Sequence, residues 1–286
     1  MATTHEQGAA LREGWLITSH SGAQMRAANE FCALVRKQLH VGDAGEGGSP
    51  AEATPDLQVF KVAGEEHSAT CCVFVGITNN SELERRISPT KVAHQMLKAV
   101  ARNQHGLAGE VLKSCEAVVR VIPCEWAVPV DTLVQMFDEC AAGEIEAGAM
   151  HQFLTVAGHF PEVGKHPKDN TYNIVFEEHS SVASVDPGAI TAAAERAVTS
   201  KKYVRVPHEG TKGGARAPKT FVICLAGDVA LLSVVTDWFE LHRYSLHQVA
   251  SHTAAGTSPS KGHRATAVPV GESTASSVNS IDPNRG

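Results

Sequence analysis

Few side chains in this sequence stand at spacings that do chemistry. Glu177-Glu178-His179 sets two carboxylates beside an imidazole, and as a strand end the run is expected to be solvated. His242 and His247 are five residues apart, which puts them on different faces of a helix and not together as a zinc pair. Cys71 and Cys72 are adjacent, so on a strand they point to opposite faces and are expected to pack rather than to sense redox state. There is no H-x-E with a later P-C-x-x-C, so the zinc deaminase set is missing. There is no Gly-rich turn between a strand and a helix for a nucleotide or methyl donor. Gly42, Gly45, Gly47 and Gly48 lie in a polar stretch that follows a helix and do not form such a turn. No G-x-S-x-G elbow occurs either. No catalytic residue, metal ligand or cofactor is therefore expected, and the chain reads as a non-enzyme.

The chemistry that remains is charge. Arg196, Lys201, Lys202, Arg205, Lys212, Arg216 and Lys219 crowd one part of the chain, with Glu195 and Glu209 as the acids among them. Lys165 and Lys168 precede a strand and would complete a groove. Cations so placed hold phosphates in position without reading sequence. Against this, the net charge is −6 over 286 residues. A nucleic-acid binder depends on phosphate contacts, so binding through bulk charge alone is not expected; local patches, or a partner with its own cations, are required. The seven cysteines are an odd number without a C-x-x-C pair, which fits free thiols in a reducing, intracellular compartment. No apolar run is long enough to span a bilayer, and residues 1–10 lack a signal-peptide pattern.

The elements that must position these groups follow in order. Residues 1–13 read as a flexible start. Trp15 to Ser19 is an apolar strand, and a helix follows from about Gly22 to His40. Residues 41–56, with Gly, Ser, Pro and acids, read as a disordered insertion. Leu57 to Val62 and Cys71 to Ile77 are strands. Ser88-Pro89 opens a helix with Val92, Met96, Leu97 and Val100 on its core face. Cys115 to Ile122 is a strand that Pro123 stops. This β-α-β-β-α-β order is that of a ferredoxin-like unit over residues 14–124.

Next come a helix from Thr132 capped by Asp131, a short helix near Ala147 to Val156, and a strand at Thr171 to Phe176. A helix starts at Asp186-Pro187-Gly188, and strands follow at Tyr203 to Val206 and Thr220 to Leu225. Asp228 then reads as the cap of a long amphipathic helix reaching Val249, with Leu231, Leu232, Val235, Trp238 and Phe239 on one face. From residue 252 to 286, Ser, Thr, Gly and Pro predict a disordered tail.

Several of these segments share wording with a known family. Leu232-Ser233-Val234-Val235-x-Asp237-Trp238, followed by Arg243-Tyr244-Ser245-Leu246-x-x-Val249, resembles the end of the THUMP domain in the eukaryotic tRNA-acetylation adaptor family. Val73-Phe74-Val75, then Ser88-Pro89-Thr90-Lys91-Val92-x-His94-Gln95-Met96-Leu97, and the strand end Arg120-Val121-Ile122-Pro123 are similar to the same family, as is Thr171 to Phe176. The resemblance spans most of residues 57–250 and, more weakly, 14–40. It implies an α/β (α+β) fold: an N-terminal ferredoxin-like domain, a THUMP domain over about 130–251, and a tail.

The function implied by this resemblance is a non-catalytic adaptor. It would grip the acceptor end of serine and leucine tRNAs and present the D-arm to an RNA cytidine acetyltransferase, which forms N4-acetylcytidine. A nuclear, nucleolar or cytoplasmic location and no membrane partner go with it. Arg120, in the strand-end motif, and Arg243-Tyr244, closing the last helix, join the candidate RNA contacts through this resemblance. The chain departs from its likeness in two places. Relatives are strongly basic after the helix ending near Arg102 and after the strand ending at Phe176, where this chain has Asn103-Gln104-His105-Gly106 and Glu177-Glu178-His179. Two other readings stay open: the RNA-binding subunit of a different tRNA-modifying enzyme, a methyltransferase or thiolase, and a protein-interaction module without RNA binding.

Overall fold

The computed structural model describes residues 13–42, 55–62, 70–78, 87–143, 148–156, 159–160, 170–179, 186–206 and 217–256. The flexible start up to residue 12, the core of the 41–56 insertion and the tail from 257 lie outside the described residues. So do Lys165, Lys168, Lys212 and Arg216.

The first half of the chain is β1 (Gly14–His20), α1 (Gln24–Gly42), β2 (Leu57–Lys61), β3 (Thr70–Ile77), α2 (Pro89–Ala101), α3 (Leu107–Ser114) and β4 (Val118–Cys124). The four strands form an antiparallel sheet in the order β2-β3-β1-β4. This is the ferredoxin-like arrangement that the element order predicts. Ser88 caps α2 through its side chain, with Pro89 in the first turn, as expected. The Glu125 carboxylate adds to that end, accepting from Ser88 Oγ at 2.7 Å and Thr90 N at 2.9 Å. A negative charge is favoured there by the helix dipole. Trp15 is fully buried, packs edge-on against Phe31 and donates its indole N–H to the Pro89 carbonyl.

The second half is β5 (Trp126–Pro129), α4 (Val130–Ala142), α5 (Ala149–His151) running into a π turn (Gln152–Val156), β6 (Thr171–Glu178), α6 (Pro187–Thr199), β7 (Val204–Arg205), β8 (Lys219–Ala226) and β9 (Val229–Thr236). Its five-stranded sheet has the order β5-β9-β8-β6-β7, with β6 parallel to β7 and β8 and the other pairs antiparallel. A 3-10 turn (His242–Tyr244) leads to α7 (Leu246–Ala254), which returns to pack on α2, α3 and β4. The chain is thus α+β with two sheets, and its second half follows the expected α-α-β-α-β-β-α order with two added strands, β5 and β9.

Strand β9 is the main correction. The predicted helix from Asp228 to Val249 is instead β9, a turn and α7. Val229 pairs with Ala226, so Gly227-Asp228 is a two-residue hairpin turn, with Gly227 at φ +67°. Gly-Asp between two β-branched runs is a hairpin signal. What hid it is burial on both faces. Leu231 and Val235 join the core shared with the first sheet, whereas Leu232 and Val234 join the core under α4 and α6. A strand covered on both sides loses its alternation and reads like a buried helix.

Smaller differences follow the same logic. Asp131 does not cap α4, which starts a residue earlier after Pro129 without a side-chain cap. The strand expected from Cys115 begins at Val118 and runs through Pro123 to Cys124. Helix α3 was not legible, since the glycine-bearing run Leu107–Ser114 is only two turns long. Asp186 does cap α6, accepting from Gly188 N at 2.8 Å.

The larger core draws on both sheets: Leu16, Phe74 and Ile122 belong to it, and so do Val222, Cys224, Leu231, Trp238 and Tyr244. Where β1 leaves the loop, Gly14 holds φ +158°, and a Cβ there would stand 2.1 Å from the Val75 carbonyl oxygen. Gly14→Ala is expected to destabilise the chain by about 2 kcal/mol or more through this backbone clash, read as a lower denaturant midpoint at unchanged slope.

Candidate nucleic-acid interface

The polar centre of the molecule lies where the two sheets meet. Thr18 pairs with Cys72 on one side and with Arg120 on the other, so these three side chains share one row of the first sheet. In the second sheet, Glu177 is paired with Cys224. The Arg120 guanidinium spans the gap as a two-pronged clamp: Nη1 donates to Glu177 Oε2 at 2.8 Å and Nη2 to Oε1 at 2.7 Å. Its third prong, Nε, donates to the Arg243 carbonyl at 3.0 Å, and the cation lies 5.4 Å over the Trp238 ring. The two partners are only 20% and 13% exposed. Burial pushes the Glu177 carboxyl up, but the contacts from His179 and Arg120 outweigh it and hold it below the usual carboxylate range. The expectation of a solvated strand end at 177–179 is corrected here: Glu177 turns inward as the counterion of Arg120, and His179 stands against Glu177 at 3.3 Å.

The connection from β9 to α7 is held by the same clamp. His242, Arg243 and Tyr244 are all left-handed, at φ +50°, +55° and +60°. This conformation costs roughly 1–2 kcal/mol per non-glycine residue. It persists because its groups are tied: Arg243 N donates to Trp238 O at 2.7 Å and Ser245 N to His242 O at 3.1 Å. The Ser245 hydroxyl donates to Val119 O and also caps α7. Tyr244 is fully buried, stacked on Trp238 at 5.4 Å with its hydroxyl on Thr236 O. Its ring has no face for a nucleobase, so its place is structural. Arg243, by contrast, turns its side chain to solvent.

Beside this turn a second set of polar groups meets. Asp237, itself at φ +55°, accepts from Lys98 at 2.7 Å and stands 3.1 Å from His94 Nε2. Burial pushes its carboxyl up, but Lys98 and then His94 more than offset that, so it lies below its ordinary value. Thr253 Oγ1 reaches the Ala101 carbonyl, which sets α7 against the end of α2. The His242 and His252 rings stack at 4.5 Å. Burial, and then the His252 charge, lower the His242 pKa. Lys91, Arg102, His105, Arg243, His247 and His252 are exposed on these adjoining elements, with Asp237 and the exposed Glu240 as the acids of the connection. This face was missed from sequence because its residues come from three separated segments, one of them assigned to the tail.

The predicted cations of the second half fare differently. Arg196 is paired with Asp138 at 2.7 Å, and Arg205 with Glu195 at 2.5 Å. Lys201 Nζ is 3.2 Å from His151 Nδ1. Lys219 donates to the His159 carbonyl and lies over the Phe160 and Tyr203 rings at 5.4 and 5.5 Å. Burial lowers its pKa. Lys202 is exposed, at φ +67°. The structure therefore draws most of this group into contacts within the fold, and leaves Lys202 and Arg243 facing outward.

No family model matches the chain, and no curated protein does. Among solved structures, TrmN from Thermus thermophilus is similar over 77% of this chain and 44% of its own, at 10% identity and a TM-score of 0.33. A predicted N6-adenine-specific DNA methylase from Listeria monocytogenes is similar over 82% and 42%, at 16% identity and a TM-score of 0.32. The chain spans less than half the length of either. Scores of this size transfer neither fold nor activity, and the strand order and contacts above stand on their own.

Glu177→Gln is expected to destabilise the chain by about 3 kcal/mol, because it leaves the Arg120 charge inside without a partner. Arg120→Lys keeps the charge but not the fork and should be destabilised by only part of that amount; chemical denaturation of the three proteins checks both. A second outcome concerns acid. The lowered Asp237 carboxyl contributes stability in full above its ordinary value of about 4. That contribution is lost as pH falls through the folded value. The melting temperatures of wild type and Asp237→Asn should therefore differ at neutral pH and converge below about pH 4.

Proposed function

We propose that this chain is a non-catalytic RNA-binding adaptor that presents tRNA to a separate modifying enzyme, an RNA cytidine acetyltransferase. One observation carries the reading. The segments that resemble the tRNA-acetylation adaptors are far apart in the chain, yet their polar residues meet at one junction. Arg120 holds the Arg243 carbonyl and underlies Trp238. His94 reaches Asp237, and Ser245 reaches Val119. A core requires none of these side-chain identities. Together they fix the turn that displays Arg243, next to α7, which carries His247 and His252 and packs on α2.

The charge balance supports an adaptor over a free-standing binder. Arg120, Arg196 and Arg205 are paired with acids of the fold. Among the described residues, the exposed cations at the junction form a modest face built by α2, the 242–244 turn and α7. Phosphate contacts there position an RNA, and an enzyme partner supplies further affinity and the chemistry.

Binding of serine tRNA across a salt series tests the reading. The double variant Arg102→Glu/Arg243→Glu is expected to bind at least about tenfold more weakly than wild type. Its dependence on log salt should be flatter by about two units, one for each lost contact. Nucleoside mass spectrometry of tRNA from cells lacking the gene should show N4-acetylcytidine lost from tRNA and retained in ribosomal RNA. Wild-type binding that is absent, or insensitive to salt, would favour a protein-interaction module. A different nucleoside falling would name another modifying enzyme as the partner.

A further inference from the structure

The junction holds a group of donors that the adaptor reading does not use. Glu177, His179 and Cys224 each bring one ligand atom to within 4.8 Å of the others. Cys224 is fully buried, and the His179 side chain is only 9% exposed. His179 Nε2 stands 3.3 Å from Glu177 Oε2 but off hydrogen-bond geometry, and it has no hydrogen-bond partner. That contact is at ion-pair distance without hydrogen-bond geometry, and the nitrogen aims at the space shared by the Glu177 and Cys224 donor atoms. The main chain fixes the donors. Glu177 and Cys224 are register partners of two parallel strands, and His179 N donates to Leu225 O at 3.0 Å.

We propose that Glu177, His179 and Cys224, with Cys72 as the fourth donor, bind one zinc-class divalent cation that pins the two sheets together. Three arguments carry this, and none depends on the RNA reading. The first is spacing. Tetrahedral zinc with bonds of about 2.0–2.1 Å to nitrogen and oxygen sets those two ligands about 3.3 Å apart, which is the separation seen. The second is donor type. An oxygen, an imidazole nitrogen and a thiol sulfur together suit zinc and not magnesium or calcium.

The third argument is charge. Glu177 and Arg120 already cancel, so a doubly charged cation needs two more negative charges. The Cys224 and Cys72 thiols supply them, each losing its proton to solvent as the metal–sulfur bond forms. Cys72 shares a row with Thr18 and Arg120 and belongs to the same core as Cys224; its sulfur stands outside the 4.8 Å group of the other three donors, so it completes the set by a change of rotamer. Metal binding displaces Arg120 Nη1 from Glu177 Oε2, while Nη2 keeps Oε1 and orients the carboxylate, an outer-shell role usual for metal ligands. The competing account is a plain buried ion pair beside two inert cysteines. It accounts for the 3.3 Å contact of His179 with Glu177 but not for the thiol gathered beside them.

The test uses the tag-free full chain, loaded with zinc or cobalt(II) and passed over a chelating resin. One metal per chain by elemental mass spectrometry is expected, with a thiolate-to-cobalt charge-transfer band in the cobalt form. Cys224→Ser and His179→Ala should lose the metal, whereas Cys140→Ser, a buried thiol of the other core, should keep it. Cys72→Ser should alter the cobalt spectrum, and an unchanged spectrum would overturn the two-thiolate set. Should the variants fail to fold, alkylation of the wild-type chain decides: metal is expected to protect Cys72 and Cys224 against iodoacetamide. A folded wild-type chain that emerges without metal, and whose Cys224 is not protected, overturns the site.

Discussion

The guanidinium of Arg120 sets the constraint around which the rest of this structure is arranged. It is a permanent charge with five donors in a plane, and β4 delivers it to a seam between two sheets. Such a group is tolerated inside only when every prong is met. Two prongs fix the end of β6 through Glu177, and the third fixes a carbonyl in the β9–α7 connection. One side chain from the first half thereby sets the place of two segments from the second. The shared core does the bulk of the holding, since Val222, Cys224 and Leu231 pack with the first sheet's residues. Apolar packing is non-directional, however, and does not choose a register. The clamp supplies direction, because a one-residue slip of β6 would turn Glu177 to the opposite face.

How much of this was legible in the sequence depends on whether a segment's partners are local. Ser88-Pro89 and Asp186-Pro187 are caps written within a few residues, and both were read correctly. The β-α-β-β-α-β order rests on strong apolar runs, and it predicted the sheet. The β8–β9 hairpin was lost because its cue, Gly227-Asp228, also reads as a helix cap, and burial on both faces removed the alternation that would have decided. The candidate site suffered more. Charge density along the chain pointed to residues 196–219, yet Arg196 finds Asp138, 58 residues earlier, and Arg205 finds Glu195, an acid of the same cluster. Arg243 and Lys202 remained exposed, and nothing local in the sequence distinguishes them from their neighbours. Glu177-Glu178-His179 looked like a polar strand end because its partner lies 57 residues earlier.

The departure from the family likeness at those same residues now has a physical reason. A basic side chain at 177 would face Arg120 across the seam, and like charges in a low-dielectric contact repel strongly. In this chain the position is committed to holding the fold. In the proposed RNA-binding role, cation must then come from elsewhere, and exposed basic residues stand on α2, α7 and the turn between β9 and α7. The acidic net charge is compatible with that arrangement, because an RNA senses the local face within a screening length of about 8–10 Å more than the sum over the whole molecule.

The turn itself illustrates why the face is rigid. Three consecutive non-glycine residues in the left-handed region cost several kcal/mol, at roughly 1–2 each. Strain of this kind persists only where surrounding contacts over-determine it. Here they do: the Trp238 carbonyl, the Arg120 fork, the buried Tyr244 ring and the Ser245 cap all act on the same residues. The consequence is that Arg243 presents its side chain from a backbone with little freedom left. An exposed arginine usually loses side-chain and backbone entropy on binding. One mounted on a turn already fixed by the fold loses less. That is the condition a positioning contact needs, since an adaptor must hold its RNA in one orientation more than it must hold it tightly.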